Sequence, residues 1–283
     1  MQLTALARDA QEVLTYFGKG DVTLADARQV EASVILVLGQ HLTRTLVTAA
    51  RFIAERFADT PIVISGKRGR GTWLLDQAMT RHCLLHGRDL PTLDERRSEA
   101  RLIERLLSDE GVMPFAVQNG SAAKRIHLEE QASHTEQNWA FSVERLRDFH
   151  LQRAGVILVV QADCNRRRSG ETGRRILKRN GLESIQVLTL HVPSVDLTTL
   201  SERDMAIELY RTLGLKRSPA SELRVCAEFE PAVLSGMPPP LRSLAEATER
   251  RWHEFLEHSP RMMDHFIGAL ANTPHQVGGR EDL

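Results

Sequence analysis

IHLEEQASHTEQNWAFSVERL, residues 126–146, reads as a strand, a polar turn and a helix in immediate succession. Ile126, His127 and Leu128 form a short apolar strand that ends in two carboxylates, Glu129 and Glu130. Ser133 then opens a helix, and Glu136 three residues later completes a capping box. Polar groups at the carboxyl end of a strand, followed at once by a helix N-terminus, are the ingredients of a ligand site in an α/β sheet.

Further strand-length apolar runs lie at Val34–Leu38, Pro61–Ile64, Val156–Val160 and Val187–Leu190. They are mostly uninterrupted rather than alternating, as expected of strands covered on both faces. Helical patterns separate them: Thr43–Phe57, Thr72–Leu85, Leu93–Leu107, Ser133–Phe149 and Gly170–Asn180. This alternation predicts an α/β fold, a Rossmann-like three-layer sandwich on a mostly parallel sheet. The first 30 residues read as helical with a break at Gly18-Lys-Gly20, and the Rossmann-like unit is expected to span residues 1–195. After His191-Val-Pro193 the pattern changes, so residues 196–283 are expected to form a smaller, mainly helical C-terminal lobe. There Ser201 caps a helix that Gly214 stops, a strand is read at Leu223–Phe229, and helices are read at Leu241–His258 and Pro260–Ala271.

Composition narrows the function classes. Lys+Arg and Asp+Glu both number 37 in 283 residues, which argues against nucleic-acid binding driven by bulk charge. No apolar stretch approaches the roughly 20 residues needed to span a bilayer. The N-terminus shows no signal-peptide pattern, so a cytoplasmic protein is expected. Cys83, Cys164 and Cys226 are scattered and lack metal-ligand spacing, and His82 and His86 have no evident third ligand, so no metal site is expected.

In an open parallel sheet the ligand sits outside the carboxyl ends of the strands, and four of those ends are polar here. They are Gly39-Gln40-His41, then Ser65-Gly66-Lys67-Arg68-Gly69-Arg70-Gly71-Thr72, then the Glu129–Asn138 turn, and finally Gln161 to Arg168. The glycine-rich second turn is neither a Walker A loop nor a dinucleotide fingerprint. Glu99 shares a helix face with Leu102, Ile103 and Leu106, which sets a carboxylate beside the core; it either pairs with Arg96 or Arg97 or serves the site. Glu130 is positioned to accept hydrogen bonds from ribose hydroxyls or an amine. Asn138, in early helical turns where asparagine is unfavourable, has little structural reason to be there. Arg167 or Arg168 would supply an anion ligand, since the guanidinium fork suits carboxylate and phosphate.

VILVLG (34–39), IVISG (62–66), SEA (98–100), IHLEEQASHTEQNWAFS (126–142) and VVQADCNRRRSGETGRR (159–175) together resemble the SanA/ElyC/YdcF domain family. The similarity covers roughly residues 33–195 and is greatest to its cytoplasmic YdcF-like group. It implies a Rossmann-like domain with a smaller C-terminal lobe, and binding of S-adenosylmethionine. The positions it marks are Gly39, Ser65, Gly66, Glu99, Glu130, Ser133, Thr135, Asn138, Gln161, Arg167 and Arg168. The Gly66-Lys-Arg-Gly69 turn is more basic than the family's Ser-Gly-Gly, and the Tyr-His-X-X-Arg-Ala signature of membrane-linked relatives is absent. The expectation is a protein that binds S-adenosylmethionine or a related nucleoside, and an S-adenosylmethionine-dependent transferase if it is an enzyme. One alternative is an enzyme acting on a phosphorylated or nucleotide-sugar substrate, with the arginines as clamp. Another is a non-enzymatic, ligand-gated interaction protein whose C-terminal lobe closes over the site.

Overall fold

The structure, a computed structural model, describes residues 2–40, 43–69, 72–108, 125–147, 155–214 and 222–259. Six strands form one all-parallel sheet: β1 (Val22–Thr23), β2 (Val34–Leu38), β3 (Ile62–Ser65), β4 (Ile126–Glu129), β5 (Gly155–Val160) and β6 (Ile185–His191). Their order is β1-β6-β5-β2-β3-β4. The chain steps outward from β2 to β3 and β4, then returns to the other side of β2 as β5 and β6. The order therefore reverses between β2 and β5, where open α/β sheets form their ligand crevice.

The helices are α1 (Gln2–Gly18), α2 (Thr43–Arg56), α3 (Thr72–Leu85), α4 (Glu99–Leu107), α5 (Thr135–Arg147), α6 (Asp163–Arg179), α7 (Glu202–Leu213), α8 (Glu222–Phe229), α9 (Pro231–Ser235) and α10 (Pro239–Glu257). Alternate residues of the central strands feed opposite faces, as the pleat requires. Ile35, Val37, Ile62, Ile64, Leu158 and Val160 join α2, α3 and α4 in one apolar cluster. Val34, Leu36, Leu38, Val63, Ile157 and Val159 join α5 and α6 in another. Both faces of the sheet are thus covered, which is why these strands carry unbroken apolar runs. On the second face Gly173 of α6 permits close approach: a Cβ there would lie 2.3 Å from Cζ2 of the fully buried Trp139.

The helix α1, read from sequence with the sheet, packs on α6, α7 and α10. Its Leu3, Leu6, Ala7, Ala10 and Leu14 share a cluster with Leu209, Leu213 and Trp252 of α7 and α10. Trp73 and Leu74 at the start of α3, and Ala162 and Cys164 just after β5, belong to the same cluster. The helices flanking the carboxyl ends of the sheet are therefore cemented to the C-terminal ones. Among the described residues, no helix is long and apolar enough to cross a membrane.

Several elements differ from the sequence reading. Leu223–Phe229 is the helix α8, not a strand. The alternation Leu223-Val225-Ala227-Phe229 mimics a strand, but Leu223 and Cys226 are the buried pair, at helical spacing, against Val13 and Phe17 of α1. The helix read from Leu93 begins only at Glu99; residues 95–97 form a 3-10 turn, and Ser98, extended at φ −144°, is the N-cap. The last helix of the site region starts at Asp163, seven residues before the glycine where periodicity placed it. The two-residue edge strand β1 was not anticipated. The helix expected at 260–271 lies outside the described residues, as do His41, Arg70 and Gly71 of the polar strand ends.

Candidate functional site at the carboxyl edge

Three strand ends are stitched together by backbone hydrogen bonds. Gly39 N–H donates to Ser65 O, Gly66 N–H to Glu129 O, and Lys67 N–H to Ala132 O. The N-terminus of α4 docks on the same turn: Glu99 N–H reaches Lys67 O and Ala100 N–H reaches Gly66 O. Two of the orphan donors of that helix are thereby satisfied, and Ser98 satisfies a third by accepting from Arg101 N–H at 3.1 Å. This docking sets the Glu99 side chain over the ends of β2 and β3.

Glu99 is the centre of the arrangement. Its Oε1 accepts from the Thr72 hydroxyl at 2.8 Å, and the Gly69 backbone also favours the ionised carboxylate. Thr72 is itself fully buried and held by the Gly69 N–H, which donates to its Oγ1 at 2.7 Å. Oε2 projects between the two glycines: a Cβ at Gly39 would lie 2.1 Å from it, and one at Gly66 3.2 Å. Neither Arg96 nor Arg97 pairs with Glu99; Arg96 takes Asp76 at 2.8 Å and Arg97 takes Asp94 at 3.4 Å. Desolvation by the surrounding chain pushes the Glu99 carboxyl up to about 7, outweighing the Thr72 and Gly69 hydrogen bonds that pull it down.

Behind Glu99 lies a second polar knot. Ser65, with no exposed surface, faces Glu129 in the strand register and donates to its Oε2 at 2.5 Å. Oε1 of Glu129 accepts from Gln131 N–H at 2.6 Å and Ala132 N–H at 3.1 Å. The buried Asn138 side chain completes the knot, with Oδ1 placed 3.2 Å from Ser65 Oγ. Since that hydroxyl has one proton and gives it to Glu129, the Asn138 amide serves it best with its nitrogen turned towards Ser65. Asn138, whose awkward helical position was read as lacking a structural reason, has one here, buried against Ser65.

Gly39, Ser65, Gly66, Glu99 and Asn138 are therefore brought together, and the other expected residues are not. Glu130 turns away from the edge to accept from Arg101 Nε at 2.7 Å and from Ser98 Oγ at 2.9 Å. Despite some burial, these partners hold its carboxyl below the usual range. Ser133 is not the cap of α5. Its N–H and hydroxyl are both taken by Gln137 Oε1, while Glu136 is drawn to Arg175 and Arg179. Thr135 accepts from Arg168 Nη1 at 2.9 Å. Arg168 in turn grips Glu222 of α8, with Nε 2.5 Å from Oε1, and is not free to bind an anion. Arg167 lies over the Tyr16 ring, 4.1 Å from its centroid, and lines a separate pocket of about 110 Å³ beside Lys19, Asp21 and Arg174. Gln161 is buried just past β5, where its Oε1 accepts from Ala162 N–H at 2.7 Å.

Three participants were missed or misassigned from sequence. Glu129 rather than Glu130 enters the knot, a distinction fixed by strand register. Thr72, read from sequence as the first residue of α3 and the last of the second polar turn, was not singled out as a site residue. Ser98 followed by Glu99 was a legible helix start.

The sheet order and this edge define a Rossmann-like α/β protein with a carboxylate-centred cluster at its carboxyl end. No family model matches the chain, and no curated protein matches it.

Proposed function

We propose that the protein binds a small molecule at the carboxyl ends of β2, β3 and β4, and that the ligand is S-adenosylmethionine or a related nucleoside bearing a cationic or hydroxyl-rich group. The observation that carries this reading is the Glu99 carboxyl, desolvated and seated with one oxygen between Gly39 and Gly66. An anionic or hydrogen-accepting group at that position suits a sulfonium, an ammonium or a ribose hydroxyl, and repels phosphate. The phosphorylated-substrate alternative loses Arg166 and Arg168 as a clamp at this edge, while Arg167 lines the separate pocket beside Lys19 and Arg174. Arg168 is committed to Glu222, and the fully buried Arg166 to Asp163, Gly18 O and Val192 O. Buried Ser65, Glu129 and Asn138 support the seat from behind. Transfer of a group from S-adenosylmethionine is the reaction class such binding would open.

The test is a thermal-shift and calorimetric comparison of S-adenosylmethionine with adenosine, ATP and sugar phosphates, on wild type and Glu99→Gln. At about 100 times Kd a single site stabilises the fold by roughly 2.7 kcal/mol. Stabilisation by S-adenosylmethionine that Glu99→Gln weakens supports the reading. Stabilisation by phosphorylated ligands alone, or none at all, overturns it.

A further inference from the structure

We infer that the pocket between α6 and the loop joining α1 to β1 is a second binding site, one that takes a small oxyanion, the phosphate group or carboxylate of a ligand, on Arg167 and Lys19. It lies apart from the carboxyl-edge seat and does not depend on the ligand proposed there.

Its position follows from the sheet. Thr189 lines it from β6 and shares the α6-facing side of that strand with Val187, two residues away. In the sheet order β6 stands two strands from β2, roughly 10 Å at the usual strand spacing, so the pocket is distinct from the surroundings of Glu99. The Lys19-Gly20-Asp21 loop supplies another wall. A Cβ on Gly20 would lie 2.7 Å from both His191 N and Thr189 O, so glycine lets this loop press onto the β6 backbone. Asp21 N–H, donating to Thr189 O at 2.9 Å, fastens it there.

The charges in the pocket are unevenly paired. Three cations and two carboxylates line it, and one cation serves both carboxylates. Arg174 Nη2 reaches Asp21 Oδ2 at 2.7 Å, and its Nη1 reaches Glu171 Oε1 at 2.9 Å. Asp21 Oδ2 also accepts from the Thr189 N–H at 2.8 Å and hydroxyl at 2.9 Å, which completes its shell. Lys19 and Arg167 are left over, and neither is ion-paired among the described residues.

Arg167 is nonetheless held in place. Its guanidinium stacks 4.1 Å from the centroid of the Tyr16 ring, and the Tyr16 hydroxyl is itself anchored on Val233 O at 2.6 Å. Stacking engages the face of a guanidinium and leaves the N–H donors in its plane unengaged. A fork already fixed loses little side-chain freedom when an oxyanion docks on it. Two unpaired cations around one hollow also raise the local concentration of anions. Size narrows the ligand further. A volume of about 110 Å³ equals a few waters at roughly 30 Å³ each, and falls well short of the roughly 300 Å³ at which pockets enclose drug-sized molecules. The pocket therefore holds the anionic group and not a whole nucleoside.

The test is a proton–nitrogen correlation NMR titration of the full chain with sodium phosphate at fixed ionic strength, against sodium chloride as control, for wild type, Arg167→Ala and Lys19→Ala. Residue-resolved shifts are needed because phosphate also stabilises proteins generally, through exclusion from their surfaces. Saturable shifts should be confined to residues 18–21 and 167–174, with Arg167 Nε–H among them. Each substitution should weaken binding about tenfold, as expected for the loss of one charge-assisted contact. Shifts that do not saturate, shifts that chloride reproduces, or an affinity that neither substitution changes would overturn the inference. Acetate, titrated in the same way, distinguishes the two sources of the anion. Tighter phosphate assigns a phosphorylated ligand and tighter acetate a carboxylate, and either outcome upholds an oxyanion site. Should Arg167→Ala not fold, Lys19→Ala at its exposed position decides alone.

Discussion

Gly39→Ala is the most direct probe of the seat. The added Cβ would lie 2.1 Å from Glu99 Oε2 and 3.3 Å from its Cδ, with Ser65 O next at 3.5 Å. Ordinary contact begins near 3.4 Å, so the carboxylate must retreat by at least 3.4 − 2.1 = 1.3 Å. Such a retreat takes Oε1 off the Thr72 hydroxyl unless the whole Gly66–Thr72 turn yields. Overpacking of this kind costs about 1–3 kcal/mol. The collision is with one removable side chain, and only the ordinary 3.5 Å contact survives its removal. Gly39→Ala should therefore cost about 1–3 kcal/mol in wild type and less than about 0.5 kcal/mol in a Glu99→Ala background. Urea denaturation of the four proteins of this double-mutant cycle measures the difference. Equal costs in the two backgrounds would refute the placement of Oε2 between the glycines, whatever the ligand.

Two further outcomes follow from the same geometry. Glu99 has a folded-state value of about 7 against about 4.5 when unfolded, so the folded state holds the extra proton between those values. Its stabilising contribution is complete below pH 4.5 and is lost as pH rises through 7, an upper limit of about 3 kcal/mol. Glu208, raised by burial to about 8, acts with the same sign and extends the decline. Urea midpoints at pH 5 and pH 8 should lie closer together in Glu99→Gln than in wild type; parallel curves would contradict this. Arg166, whose side chain is wholly buried against Asp163, Val192 O and Gly18 O, should cost about 3–5 kcal/mol when replaced by Met, because Asp163 is left buried without its cation. Arg167→Ala, which removes only the stacking on Tyr16, should cost about 1 kcal/mol or less, and similar losses for the two would refute the assignment.

The sheet was legible in the sequence because burial on both faces leaves an unmistakable trace. Val34–Leu38 is recovered residue for residue, and the remaining long strands to within one or two. Helix ends set by local chemistry were equally readable: Ser201 accepts from Asp204 N–H at 3.2 Å, and Gly214 ends α7 at φ 69°. Elements governed by distant contacts were not readable. The strand β1 is two residues long and exists because Val22 and Thr23 pair with Leu190 and His191. The Asn165–Arg168 run looked like a loop because nothing local explains three adjacent arginines. Their explanation lies far off in the chain, in Gly18, Tyr16 and Glu222. At Ser133 local chemistry was readable but lost a competition, as Gln137 and the arginines of α6 outbid the capping box for its members.

The fate of those arginines explains the polarity of the site. Along α6, Arg168 joins Glu222, Arg174 joins Asp21 and Glu171, and Arg175 joins Glu230 and Glu136. These pairs fasten the helix that follows β5 to the loop after α1, to α5 and to the C-terminal helices. Cations that sequence alone assigned to the ligand are thus consumed in holding the lobe to the sheet. The carboxylates at the edge are left unequally served. Among the described residues, Glu130 has Arg101, Glu129 has Ser65 and two amides, and Glu99 has the Thr72 hydroxyl and no cation. An overall charge of zero therefore conceals a local deficit of positive charge around Glu99 among the described residues. A ligand cation would meet that deficit, and the commitment of these arginines elsewhere is the reason we propose a cationic rather than a phosphorylated ligand for this edge.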